Sequence, residues 1–151
     1  MPFGTQCDGI RNEDLERQTF ADETFDVVMH LDVLEHLFDP FRALEEIHRT
    51  LKPGGLCLFT APTEPHRFES EQVAFMEDGV LRVIGEPEYH GNPQGGGQGA
   101  IVTWRYGFDL PLLIQRRTGF DVETRRYQSR AIAAMGYMND VYVLRKQNRG
   151  D

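Results

Sequence analysis

The sequence predicts an α/β fold, and three observations predict it. Phe25 to Leu31 is a short apolar run rich in branched side chains. A single amphipathic stretch follows, opened by Asp39-Pro40 and stopped by Lys52-Pro53-Gly54-Gly55. A second apolar run, Leu56 to Ala61, comes next. A strand, one crossover helix and a strand should form a parallel pair joined by a right-handed connection.

The first strand, Phe25–Leu31, follows an Asp22-Glu23 turn signal and has no polar alternation. It therefore reads as buried on both faces of a sheet. In the helix, Asp39 takes the N-cap and Pro40 the first helical position. Phe41, Leu44, Ile47, His48 and Leu51 share the inner face at three- and four-residue spacing. Glu45 and Glu46, with Arg42 and Arg49, read as the outer face. Proline cannot continue the helix at position 53, and glycine there supplies a left-handed stop. The stretch 62–109 is irregular, with Pro62, Pro65, Pro87, Pro93 and a glycine run over 95–99, and it reads as a substrate or lid insertion. Asp109 to Thr118 reads as a second helix capped by Asp109 and ended by Gly119. Phe120–Tyr127 and Asp140–Leu144 read as the last strands.

The 151 residues suit one domain, 1–151, with an ordinary hydrophobic share of 40%. The formal net charge of −8 argues against a nucleic-acid or anionic-membrane binder, which needs a basic footprint. No apolar run approaches the ~20 residues that span a bilayer, and the N-terminus has no signal-peptide pattern. A cytoplasmic location is expected. Cys7 and Cys57 form no metal-type pair, and Cys57 reads as a small buried strand residue.

More specific information lies in motifs that follow one another at fixed spacing. Glu13-Asp14-Leu15 precedes Phe20-Ala21-Asp22-Glu23-Thr24-Phe25-Asp26. Asp32-Val33-Leu34-Glu35-His36 closes the first strand, and Arg49-Thr50-Leu51-Lys52-Pro53-Gly54-Gly55 closes the helix. In this order they resemble class I S-adenosylmethionine (SAM) dependent methyltransferases of the type 11 group, over the C-terminal part of that domain. The match runs from about residue 10 to 62. Pro87-Glu88-Tyr89-His90-Gly91-Asn92-Pro93 resembles a loop of a bacterial subset of the group.

The resemblance implies a partial Rossmann-like methyltransferase sheet, made of strands corresponding to family strands 4, 5, 6 and 7, the last antiparallel, with flanking helices. It implies SAM as cofactor. Asp14 would accept from the adenine amino group, and the Leu15 N–H would serve a ring nitrogen. Leu31 and Asp32 would line the methionine and methyl-transfer side, where a carboxylate suits a cationic methyl donor. His36, four residues past Asp32, is a candidate general base, or equally a polar cap against the helix. Tyr89 and His90 are further catalytic candidates, because acceptors bind in this region of the family; they also read as ordinary loop residues.

No metal site is expected: His30, His36, His48, His66 and His90 are scattered, without HExxH-type spacing. The glycine run lacks the lysine and Ser/Thr of a phosphate loop. The family's glycine-rich cofactor loop belongs upstream of every matched motif, so an N-terminally truncated domain with impaired activity is expected. Without its usual neighbour the first strand would be an exposed edge. It should be covered by N-terminal residues, a second copy of the chain (a homo-oligomer) or a separate N-terminal half. The expected function is methyl transfer to a small-molecule acceptor, without nucleic acid or membrane as partner. The competing reading is a catalytically inactive remnant that serves assembly. A dinucleotide-binding Rossmann protein is disfavoured, for want of GxGxxG.

Overall fold

A computed structural model of the chain describes residues 1–91, 97, 99–148 and 150. A small hairpin of β1 (Gln6–Cys7) and β2 (Ile10–Arg11) opens it. β3 (Phe25–Leu31), α1 (Pro40–Thr50) and β4 (Leu51–Thr60) form the expected unit, with β3 and β4 parallel. Then come β5 (Glu71–Gln72), β6 (Ala74–Glu77), β7 (Val80–Val83), β8 (Tyr89–His90), β9 (Ala100–Ile101) and β10 (Trp104–Arg105). The chain finishes with α2 (Leu110–Thr118), β11 (Asp121–Arg126) and β12 (Asp140–Arg145). The central sheet has the order β11-β12-β4-β3, with β12 antiparallel to both neighbours.

Asp39 caps α1 as its sequence predicts, its carboxylate accepting from the Arg42 N–H at 3.0 Å. The stop signal behaves differently from expectation. β4 starts at Leu51, directly after the helix, so Lys52–Gly55 lies inside the strand, opposite a register shift between Phe25 and Val27. Gly54 has φ 76°, and a Cβ on Gly55 would stand 2.8 Å from the Lys52 carbonyl oxygen. The two glycines thus form an irregularity within the strand, and the helix ends before them at an extended Leu51.

Two side chains depart from the sequence reading. Glu46, assigned to the outer face, is buried, because its carboxylate accepts from the Gln18 N–H at 2.9 Å and from Arg49 Nη2 at 2.9 Å. Arg49 also donates to the Phe20 carbonyl at 2.8 Å, so the pair clamps residues 18–22 onto α1. Asp109 sits at the N-cap of α2 but makes no cap bond; its carboxylate accepts instead from the Ser70 N–H and hydroxyl, at 2.8 and 2.7 Å. Gly119 ends α2 in the left-handed region as expected.

The core lies between the two helices and one face of the sheet. Phe41, Leu44, Ile47, Leu110 and Ile114 meet Cys57, Phe59, Tyr142 and Leu144 there. Three rings stack across β3, β4 and β12: His30 on Phe59 at 4.9 Å, and Phe59 on Tyr142 at 4.8 Å. The other sheet face is bare, which corrects the expectation of a strand buried on both sides: Val27, Met29 and Leu31 are 54%, 68% and 61% exposed. Within the chain no described strand pairs with the outer edge of β3.

The segment 62–109 is better ordered than its prolines suggested. β6 and β7, β8 and β9, and β5 and β10 form antiparallel pairs. Strands of two residues carry no readable alternation. The β6–β7 hairpin did carry a signal, its Asp78-Gly79 turn, whose φ values of 51° and 76° suit a tight hairpin. Of the glycine run, Gly95, Gly96 and Gln98 lie outside the described residues. Among the described residues no helix is long and apolar enough to cross a membrane.

Candidate functional site

The carboxyl end of β3 is where the motif residues gather. Open α/β sheets bind ligands at this end of their strands. Asp32 follows β3 with φ 49°, a left-handed conformation that aspartate tolerates better than most residues. It is pinned to the end of β4: its N–H donates to the Thr60 carbonyl at 3.1 Å, and its carboxylate accepts from the Thr60 hydroxyl at 2.9 Å. The sharp bend turns the chain into a single 3-10 turn, Leu34–His36.

That turn is clasped by the insertion. The Tyr106 hydroxyl donates to the Leu34 carbonyl at 2.9 Å, and the Thr103 N–H and hydroxyl both donate to the Glu35 carbonyl. His36 Nδ1 lies 2.8 Å from the Ile101 carbonyl oxygen. A carbonyl only accepts, so Nδ1 carries a proton and Nε2 is the nitrogen turned toward Glu35. β8 pairs with β9, His90 opposite Ala100, and this brings His90 to the same place.

The result is a cluster that the spacing of the histidines concealed. The His36 and His90 rings meet edge to face, 5.0 Å apart. His36 Nε2 and His90 Nδ1 each lie 3.6 Å from Glu35 Oε1. Glu35 is 1% exposed, and neither of its carboxylate oxygens has a hydrogen-bond partner. Burial pushes its carboxyl up from the ordinary glutamate value, while the dipole of its own backbone N–H and the two histidines pull the other way. Glu35 stood inside the quoted motif without a role. The signal available was an acid directly before a histidine at a strand mouth, but its burial arises from residues 101–106, distant in sequence.

The remaining sequence candidates fall around this cluster. Asp32 lines a cleft of about 430 Å³ with Thr60, Pro62, Tyr127, Met138 and Asn139, at the carboxyl ends of β3 and β4. Leu15 lines a second cleft of about 300 Å³, against Phe25, Val27, Met29 and His30. Asp14 is exposed, and its carboxylate accepts from the Glu16 N–H at 2.9 Å. Leu31 is exposed at the strand end. Neither Asp14 nor Leu31 lines either cleft. Tyr89 is partly exposed beside His90 and is outside the Glu35–His36–His90 cluster.

Residues 4–59 match the family model of the methyltransferase domain. Over these residues the chain is similar to SAM-dependent methyltransferases. A ubiquinone biosynthesis O-methyltransferase of Cereibacter sphaeroides is 44% identical over 48 residues, which is 32% of this chain and 19% of that protein. The chain thus spans about a fifth of the length of that curated relative. The fold extends further than the sequence match. A SAM-dependent methyltransferase of Mesorhizobium loti superposes with a TM-score of 0.56 at 17% identity, covering 90% of this chain and 69% of that one. The 1,6-didemethyltoxoflavin-N1-methyltransferase of Burkholderia thailandensis, solved with 1,6-didemethyltoxoflavin and S-adenosylhomocysteine, gives 0.50 at 15% identity, covering 93% and 50%. The expected sheet of a methyltransferase, with its antiparallel last strand, is therefore present.

Proposed function

We propose that the chain serves SAM-dependent methyl transfer to a small-molecule acceptor, and that the acceptor atom is a hydroxyl oxygen. The observation that carries this reading is the carboxyl end of β3, where the exposed Asp32 carboxylate opens on a cleft and His36 lies one turn away, its Nε2 3.6 Å from Glu35 Oε1. The cofactor, when bound, supplies an activated methyl group on a cationic sulfur. The residues present fit it in two respects. Asp32 supplies negative charge at the strand mouth, and Leu15 with Val27 and Met29 offers an apolar cleft for a flat ring. By resemblance Asp14 would accept from the adenine amino group, although in this structure its carboxylate accepts from the Glu16 N–H.

The chain's own groups would act mainly by placement, because proximity and in-line orientation carry much of a methyl transfer. His36 Nε2 takes the proton of the acceptor hydroxyl as its oxygen is methylated. Its Nδ1–H stays on the Ile101 carbonyl, which fixes the ring and its tautomer. An oxygen acceptor needs this help more than a neutral amine, and the relative from Cereibacter sphaeroides is an O-methyltransferase by name. The test is S-adenosylhomocysteine release from SAM in the presence of small phenols, catechols and amines. Acceptor-dependent release with phenols or catechols, reduced roughly 100-fold in His36→Ala, is expected. Turnover only with amines, or no effect of His36→Ala, would reject the oxygen assignment.

A second reading is favoured by one observation, the bare apolar face formed by Val27, Met29 and Leu31. On that reading the fold is kept as an assembly module without catalysis. Absence of SAM binding together with stable self-association would select it.

A further inference from the structure

We propose that Glu35, His36 and His90 form a binding site for one divalent transition-metal cation. Its ligands are a Glu35 carboxylate oxygen, His36 Nε2 and His90 Nδ1. The remaining coordination positions belong to water or to oxygens of a bound molecule.

Geometry supplies the first argument. One ligand atom from each residue can be chosen so that all three lie within 4.8 Å of one another. Both histidine nitrogens are 3.6 Å from Glu35 Oε1. That is too long for hydrogen bonds. A cation about 2.1 Å from each donor sets donor–donor separations of roughly 3.0–3.5 Å, so both nitrogen–carboxylate separations need only a few tenths of an ångström of contraction, and the two imidazoles would close on each other by ring rotation.

The second argument is what Glu35 lacks. Its side chain is almost wholly buried, and neither carboxylate oxygen receives a hydrogen bond. A buried carboxylate without donors is costly. A cation between it and two imidazoles supplies the missing charge and the missing bonds together.

The third argument is the outer ring of contacts. Metal-binding histidines usually tie their other nitrogen to a carbonyl or carboxylate, which fixes the tautomer. His36 Nδ1 sits on the Ile101 carbonyl oxygen at 2.8 Å, and His90 Nε2 faces Glu88 Oε1 at 3.6 Å. Glu88 is held in turn by Arg105, at 3.2 Å. Both inner nitrogens are thereby directed at Glu35.

Two imidazoles and one carboxylate with open positions suit zinc, cobalt, manganese or iron(II) better than magnesium or calcium, which prefer all-oxygen shells. The binding claim is independent of methyl transfer. Only the use of the ion rests on the proposed function: a cation here would bind an acceptor hydroxyl and ease loss of its proton to solvent, with His36 serving as ligand instead of base.

The experiment uses the full chain, stripped with chelator and without SAM. Co2+ is titrated by visible absorption and Zn2+ by calorimetry at neutral pH. One equivalent of each should bind, weakened at least tenfold in His36→Ala and in His90→Ala. Imidazole NMR of the unmodified protein guards against misfolded variants: of its five histidines, the resonances of His36 and His90 should shift on adding Zn2+. No one-to-one binding at millimolar metal, undiminished affinity in either folded variant, or shifts confined to His30, His48 and His66 would overturn the proposal.

Discussion

His36 lies in the turn after β3 and His90 in the insertion, yet their rings meet edge to face at 5.0 Å over the buried carboxylate of Glu35. The contact depends on two local devices. The left-handed Asp32 turns the chain out of β3, and the short β8–β9 ladder carries His90 back to it.

Glu35 is kept at some expense of stability, because its oxygens have no donors in the metal-free protein. Glu35→Leu removes the buried carboxylate and keeps comparable bulk. In metal-free protein it should melt at or above the temperature of the parent, since a buried charge is often replaced by an apolar group without loss. A thermal melt in chelator checks this. A large drop in melting temperature would mean that Glu35 has a structural partner.

His30 should make the fold acid-sensitive. Burial lowers its pKa from 6.5 to about 4, and neither ring nitrogen has a partner. The folded state therefore binds the proton less readily than the unfolded chain. Its contribution is fully present above about pH 6.5 and is lost as the pH falls toward 4. The shift corresponds to about 3 kcal/mol. His30→Phe keeps the ring on Phe59 and should flatten denaturation midpoints between pH 6.5 and 4. An unchanged slope would contradict the assignment.

Arg49 fastens residues 18–22 to α1 through Glu46, Asp22 and the Phe20 and Gln18 carbonyls. Arg49→Met leaves the buried Glu46 without its main donor and should cost about 2–4 kcal/mol in urea denaturation. Arg49→Lys keeps a positive charge beside Glu46, so its loss should be smaller. Equal losses in the two variants would show that the fork of hydrogen bonds outweighs the charge.

The open edge of β3 and its exposed Val27, Met29 and Leu31 predict association that grows with protein concentration. Sedimentation velocity should show it, and Met29→Lys should reduce it. A monomer at high concentration with Met29 in place would contradict this.

Much of the frame was legible because it rests on local chemistry. The Asp39-Pro40 opening gave the start of α1, and the two apolar runs gave β3 and β4 as parallel neighbours. The faces were harder. Glu46 reads as a surface acid until Gln18 and Arg49 are seen to satisfy it, and Asp109 reads as a cap until Ser70 is seen to claim it. The candidate site divides in the same way. Asp32 and His36 lie in a contiguous motif, and their placement at a strand mouth followed from it. Glu35 becomes notable only when Thr103 and Tyr106 close over the turn, and His90 joins it only through β9. Such contacts between distant segments leave no periodicity in the sequence.

The central claim is that this strand mouth binds SAM, and calorimetric titration of the full chain with SAM tests it most directly. The account predicts saturable one-to-one binding, weakened about five- to tenfold by Asp32→Asn through loss of one charge near the cationic sulfur. No binding at millimolar SAM, or an affinity indifferent to Asp32→Asn, would contradict it.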